Sequence, residues 1–262
     1  MHIDIETYKA RSGRVSLAGI DFGAFRSQPL DERSLRCLRY MHDVEHHTIC
    51  YLRDLLATSA HNDPEVTTFL TMWSYEEYWH GEALAAVLAE HDEPAGATRV
   101  AALRRTLRWT DRFAPTLHGL GSLLAGASYT AVHMTWGAVN EWTTQAGYGR
   151  LAERAGHPVL TDLLRRIMRQ EGRHIDFYAT QALRRLQGDR RAQRLTRLAL
   201  TRFWKPVGSD VMPEAEVRFL IDHLFDGEQG RAVTERLDRN IDRLPGLEGL
   251  RLVSGAAARC AA

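Results

Sequence analysis

Apolar residues recur at helical spacing along most of the chain. Leu35, Leu38, Met41, Ile49, Leu52 and Leu56 form one broad stripe, and Asp31 stands where a helix N-cap would, which predicts a helix from there to about residue 60. Asp63 followed by Pro64 is a strong start signal, because the carboxylate caps free amides and proline suits the first helical position. The helix it opens is predicted to run to about Glu90, before Pro94-Ala95-Gly96. A basic amphipathic segment follows from Thr98 to Phe113, then a long helix from about 118 to 155 that stops at Gly156. Pro158 opens another, to about Gln187. Two or three shorter helices fill 189–244, broken at Pro206-Val207-Gly208, Pro213 and Pro245-Gly246. Residues 1–29 carry little periodicity and are predicted as an extended arm, and the small-residue tail 254–262 as loose. Strand signals are nearly absent. The expected class is all-α, one domain with an arm (1–30), a helical body (31–187) and a helical extension packed on it (188–262).

Composition narrows the function classes. With 262 residues, 44% of them apolar, a large core is available. The 34 basic residues balance 33 acidic ones, which argues against nucleic acid as a partner. Cys37, Cys50 and Cys260 fit neither a zinc site nor a disulfide framework, so a reducing cytoplasm is expected. The first residues lack the apolar run of a signal peptide. The most apolar stretch, Leu120–Val139, is interrupted by Gly121, Ser122, Gly126, Ser128, His133 and Gly137, which suits a buried helix better than a membrane span.

Chemistry enters with Glu-x-x-His, which occurs twice, at Glu77–His80 and Glu171–His174. One such match is little more than chance. The arrangement is not: Glu45 lies 32 residues before Glu77, and Glu141 lies 30 before Glu171. Each pair spans a predicted helix hairpin whose second helix opens on a proline. At about 1.5 Å per residue, the members of each hairpin come to the same height. Residues i and i+3 share a face, so each Glu and His can aim at one point. The chain is a twofold repeat of Glu followed by Glu-x-x-His, the recipe by which helical bundles hold two iron ions between carboxylates. Four buried Glu side chains would repel one another severely without cations. Two ions ~3.5–4 Å apart are expected, with Glu77 and Glu171 as the better candidates to bridge. Manganese, or a mixed Mn/Fe pair, fits the same ligands.

At these residues the chain resembles the soluble acyl-carrier-protein desaturases, within the ferritin-like superfamily. Trp73-Ser74-Tyr75-Glu76-Glu77-Tyr78-Trp79-His80-Gly81 is similar to that family's second-helix motif, Glu141-Trp142-Thr143-Thr144 to its third, and Gln170-Glu171-Gly172-Arg173-His174 to its fourth. The resemblance covers residues 31 to about 187. It implies a ferritin-like four-helix bundle with additional peripheral helices, di-iron, O2 and an external ferredoxin-like electron donor. It also implies a homodimer that removes two hydrogens from an acyl chain delivered on acyl carrier protein. The chain departs from the family in being short, like the actinobacterial members. Gln170 also stands where Asp is usual, and His42, His46 and His47 surround Glu45. Arylamine N-oxygenases share the six ligands but carry a further His where this chain has Ile167. An oxygenase or oxidase acting on a free small molecule, or a non-catalytic iron-binding protein, uses the same centre.

Neighbouring residues have two readings each. Thr144, three residues after Glu141, is a candidate proton relay by the resemblance, or an intrahelical hydroxyl. Gly137 leaves a gap for O2 or substrate, or allows close helix packing. Trp73 carries electrons or fills the core. The repeat puts Glu76 and Gln170 in equivalent places, and they are expected to partner His174 and His80 respectively, since ligating imidazoles usually donate their other N–H. His42 suits a satisfied core histidine better than a ligand, and Tyr178 a core residue better than a radical site. The basic run from Arg184 to Lys205 is a solvated face, or a dock for an acidic carrier.

Overall fold

A computed structural model describes residues 5–106 and 114–261. Every regular element among them is a helix: α1 Ile5–Arg11, α2 Ala24–Ser27, α3 Glu32–Leu56, α4 Pro64–Ala89, α5 Gly96–Thr106, α6 Ala114–Ala125, α7 Ser128–Ala155, α8 Pro158–Leu186, α9 Arg190–Phe203, α10 Glu214–Phe225, α11 Gly227–Asp242 and α12 Leu252–Ala261, with a 3-10 turn at Ser59–Asn62. The class is all-α. No helix among the described residues is long and apolar enough to cross a membrane.

The boundaries of the long helices follow local chemistry. Asp31 accepts the Ser34 amide at 2.8 Å, and Asp63 accepts those of Glu65 and Val66 at 3.0 and 3.2 Å ahead of Pro64. His157 caps α8 through Leu160 N–H, ahead of Pro158. α7 ends on Gly156 at φ 60°, a left-handed cap that costs glycine nothing. The four long helices form two consecutive hairpins, α3 with α4 and α7 with α8, which meet along α4–α8 and α3–α7.

Three expectations need correction. The helix predicted from about 118 to 155 is two helices, because Gly126 turns the chain at φ 60° between α6 and α7. The tail is not loose: Val253 and Ala256 are buried in α12, and Asp238 of α11 caps that helix by accepting the amides of Val253 (2.9 Å) and Ser254 (3.1 Å). The arm is not simply extended, since α1 packs on α4 and buries Tyr8. Residues 107–113 of the predicted basic segment lie outside the described residues.

Two apolar clusters occupy opposite ends of the long helices. One includes Phe69, Leu70, Met134, Phe177 and Tyr178; the other includes Leu38, Leu84, Leu88, Leu151 and Leu163. A band of buried polar side chains lies between them. α9, α10 and α11 pack on α7, and α10 also reaches α3.

Candidate metal centre

The polar band brings together all six residues of the repeat. Glu45 comes from α3, Glu77 and His80 from α4, Glu141 from α7, Glu171 and His174 from α8, and all are buried. They form two groups whose ligand atoms lie within 4.8 Å of one another: Glu45, Glu77, His80 and Glu171, and Glu77, Glu141, Glu171 and His174. Each group can hold a metal ion, and Glu77 and Glu171 belong to both. His174 Nδ1 lies 2.9 Å from Glu77, 3.0 Å from Glu171 and 3.6 Å from Glu141. His80 Nδ1 lies 3.3 Å from Glu171 and 3.7 Å from Glu77. Both rings therefore turn Nδ1 inward and Nε2 outward.

The outward nitrogens meet Glu76 and Gln170. His174 Nε2 is 2.8 Å from Glu76 Oε2, and His80 Nε2 is 2.9 Å from Gln170 Oε1. Glu76 is fully buried and also accepts hydrogen bonds from Tyr8 O–H, Gly13 N–H and Arg173, at 2.8, 3.0 and 2.7 Å. Gln170 donates its amide to Gly13 O at 2.8 Å. One residue of the arm thus holds both partners. The outer carboxylates are held too: Trp73 Nε1 donates to Glu141 Oε1 at 2.8 Å, and Tyr148 O–H donates to Glu45.

Electrostatics fit a cation. Burial, then the charge of Glu77, pushes Glu45 well above the usual carboxylate range; burial, then the charges of Glu171 and Glu77, does the same to Glu141. Burial acts the same way on Glu77 and Glu171, but close polar contacts, including those with both imidazoles, outweigh it and hold them down. Burial opposes the charged form of His80, yet Glu171 and Glu77 raise it to about 10. Burial and mutual repulsion thus penalise the negative charge of Glu45 and Glu141, which a divalent ion would neutralise. Glu77 Oε1, His80 Nδ1 and Glu171 Oε1 are buried and make no well-directed hydrogen bond. A set of unsatisfied oxygen and imidazole donors converging on one centre is the chemistry of a metal ligand set.

A cavity of about 530 Å³ is lined by Glu45, Glu77, Glu141, Thr144, Trp73 and Tyr178, with Lys205, Phe203, Arg53 and Asp54 among its outer residues. A second, apolar cavity of about 80 Å³ shares Val44, Glu45, Thr144, Pro206 and Val207 with the first and extends among Met41, Leu224, Phe225, Val253 and Ala256. Glu171, His80 and His174 line neither.

The remaining residues resolve as follows. Thr143 bonds the carbonyls of Val139 and Asn140, whereas Thr144 faces both cavities. Gly137 admits the Tyr178 ring and also lines the larger cavity, so it both allows close packing and borders the open space. Trp73 is packed edge-on against Tyr51 and Tyr178. His42 is a satisfied structural residue, with Nδ1 2.9 Å from Asp43 and Nε2 accepting Gly96 N–H at 3.0 Å. His46 fills the space left by Gly81. Of the basic run, Arg184 pairs with Glu65, Arg185 with Asp63 and Lys205 with Asp210, and Arg197 donates to the carbonyls of Gly246 and Glu248.

Tyr148, Tyr8, Gly13 and Arg173 escaped the sequence reading. Tyr148 stands seven residues from Glu141 on the same helical face, a spacing that could have flagged it. Tyr8 and Gly13 carry no local signal, because their partners are more than 60 residues away. No family model, curated protein or solved structure matches the chain.

Proposed function

We propose that this chain is an O2-dependent di-iron oxidoreductase built on a ferritin-like four-helix bundle, oxidising C–H bonds of an acyl-type substrate. The observation that carries the reading is the pair of ligand groups sharing Glu77 and Glu171, set beside a cavity that continues into an apolar pocket. Glu45 and His80 would hold one ion, Glu141 and His174 the other, with Glu77 and Glu171 reaching both. When bound, the metal pair supplies O2 activation and hydrogen removal. Manganese, alone or with iron, suits the same donors.

The chain's own residues do the rest. The apolar pocket beyond Glu45 and Thr144 takes an alkyl segment and strips water from it. Thr144 offers a hydroxyl on the cavity wall beside Glu45 and Glu141, where it can take up and pass on a proton. Trp73 and Tyr148 keep Glu141 and Glu45 oriented. The apolar clusters close the polar band above and below, and the larger cavity reaches it from the side.

A second reading, a free small molecule rather than a carrier-bound chain, is favoured by one observation. Among the described residues, the cations lining the larger cavity are already paired, Arg53 with Asp54 and Lys205 with Asp210, and Arg197 of the basic run is committed to the 246–248 turn. Anaerobic Fe(II) loading followed by O2, with and without an acyl-carrier substrate or a free fatty acid, tests all of this by mass spectrometry. Loss of two hydrogens supports desaturation, and gain of oxygen supports an oxygenase. Mineral formation without substrate oxidation supports iron handling instead.

A further inference from the structure

The two halves of the repeat differ in what backs each imidazole. Each outer carboxylate accepts one aromatic donor, Glu141 from Trp73 and Glu45 from Tyr148. Each imidazole turns Nδ1 to the shared carboxylates. The outward nitrogens differ: His174 meets a carboxylate, Glu76, and His80 meets a neutral amide, Gln170.

The arm fixes both hydrogen bonds. Gly13 O can only accept, so the Gln170 NH2 must face it, and Gln170 Oε1 is left to accept from His80 Nε2–H. Gly13 N–H, Arg173 and Tyr8 O–H are donors, so Glu76 is held as an acceptor and His174 Nε2 carries its proton. Once an ion displaces any Nδ1 proton, both rings present Nδ1 lone pairs to it, but with unequal strength. A hydrogen bond to an ionised acceptor is roughly twice as strong as one to a neutral acceptor and makes the imidazole a better donor. Arg173 and Gly13 bind Oε1 of Glu76, while His174 and Tyr8 share Oε2, so the oxygen facing the ring is not the one that Arg173 pairs with.

We propose that the two metal positions are unequal, and that the first ion enters the Glu141–His174 position because Glu76 rather than an amide backs its imidazole. The proposal rests on the two-metal reading above. It makes Glu76, Gln170 and Gly13 positioning residues that set the order of loading. Changing such an outer partner typically alters metal affinity ~10–100-fold, so one position should dominate at low occupancy.

The test is crystallographic, with Co(II) as the probe. The full chain is loaded with one equivalent of Co(II) and the ion is located by anomalous scattering. The expected result is ~10-fold higher occupancy beside Glu141 and His174 than beside Glu45 and His80. Equal occupancy, or preference for the His80 side, overturns the proposal and leaves the two-metal reading standing. No ion at either position, even with excess Co(II), overturns that reading and the proposal with it. Glu76→Gln, checked for helix content and thermal unfolding, should even out the occupancies. A folded variant that keeps the wild-type preference also overturns the proposal.

Discussion

Gly137 and Tyr178 occupy one space: a Cβ on Gly137 would overlap the Tyr178 ring. The ring is fully buried and stands edge-on to Trp73, which in turn holds Glu141, so this contact between α7 and α8 adjoins the centre.

Gly137→Ala should therefore destabilise the protein. Overpacking a core costs about 1–3 kcal/mol, and the helix propensity gained from alanine offsets at most about 1 kcal/mol of it. Adding Tyr178→Leu should recover most of the loss. Tyr178→Phe alone should be neutral or stabilising, because the Tyr178 hydroxyl is buried without a hydrogen-bond partner. Thermal unfolding of the four proteins checks this, and a clear loss in Tyr178→Phe would contradict it.

Trp73→Phe keeps the aromatic packing but removes the donor to Glu141. Helix content should be unchanged, while metal affinity falls ~10-fold or more. Calorimetric titration with Co(II) reads both steps, and an unchanged isotherm would show that Trp73 serves packing alone.

Metal uptake should release protons. His80 is raised to about 10, so it holds a proton at neutral pH that an ion must displace, and burial favours the protonated forms of Glu45 and Glu141 as well. Apparent affinity should rise with pH from 6 to 9, by about tenfold per unit for each proton displaced. Calorimetry in buffers of different ionisation enthalpy counts the protons directly. A pH-independent affinity with no release would refute the charge balance described here.

His157 offers a pH test away from the centre. Its ring stacks on Phe25 with centroids 4.5 Å apart, and its Nδ1 accepts Leu160 N–H. Burial, with the nearby His91, holds it below the usual histidine value despite an opposing hydrogen bond to the Gln28 backbone. The folded state thus prefers the neutral ring. Its contribution is present above about pH 6.5, the unfolded value, and is lost as pH falls from there toward the folded value. His157→Asn keeps a good cap but cannot titrate. Thermal stability of the variant should fall less than that of wild type between pH 7 and 5.

The starts of three long helices at Asp31, Asp63-Pro64 and Pro158, and the six residues of the candidate metal centre, are legible in the chain because helical periodicity, capping and i,i+3 spacing are local. Equal distances from each hairpin turn were enough to put Glu45 level with Glu77, and Glu141 level with Glu171. The pairing of His80 with Gln170 and of His174 with Glu76 was legible too, from the repeat. The rest depends on partners far apart in the chain. Gly13 closes on Glu76 and Gln170 across 63 and 157 residues, and Asp238 caps a tail that has no cap of its own. Nothing near Gly137 in the chain shows that the Tyr178 ring will fill one side of it from the next helix while the cavity opens on it as well. A backbone amide or a glycine carries no signature of what will approach it. That is set by how the helices and the arm pack, after the local pattern has been satisfied.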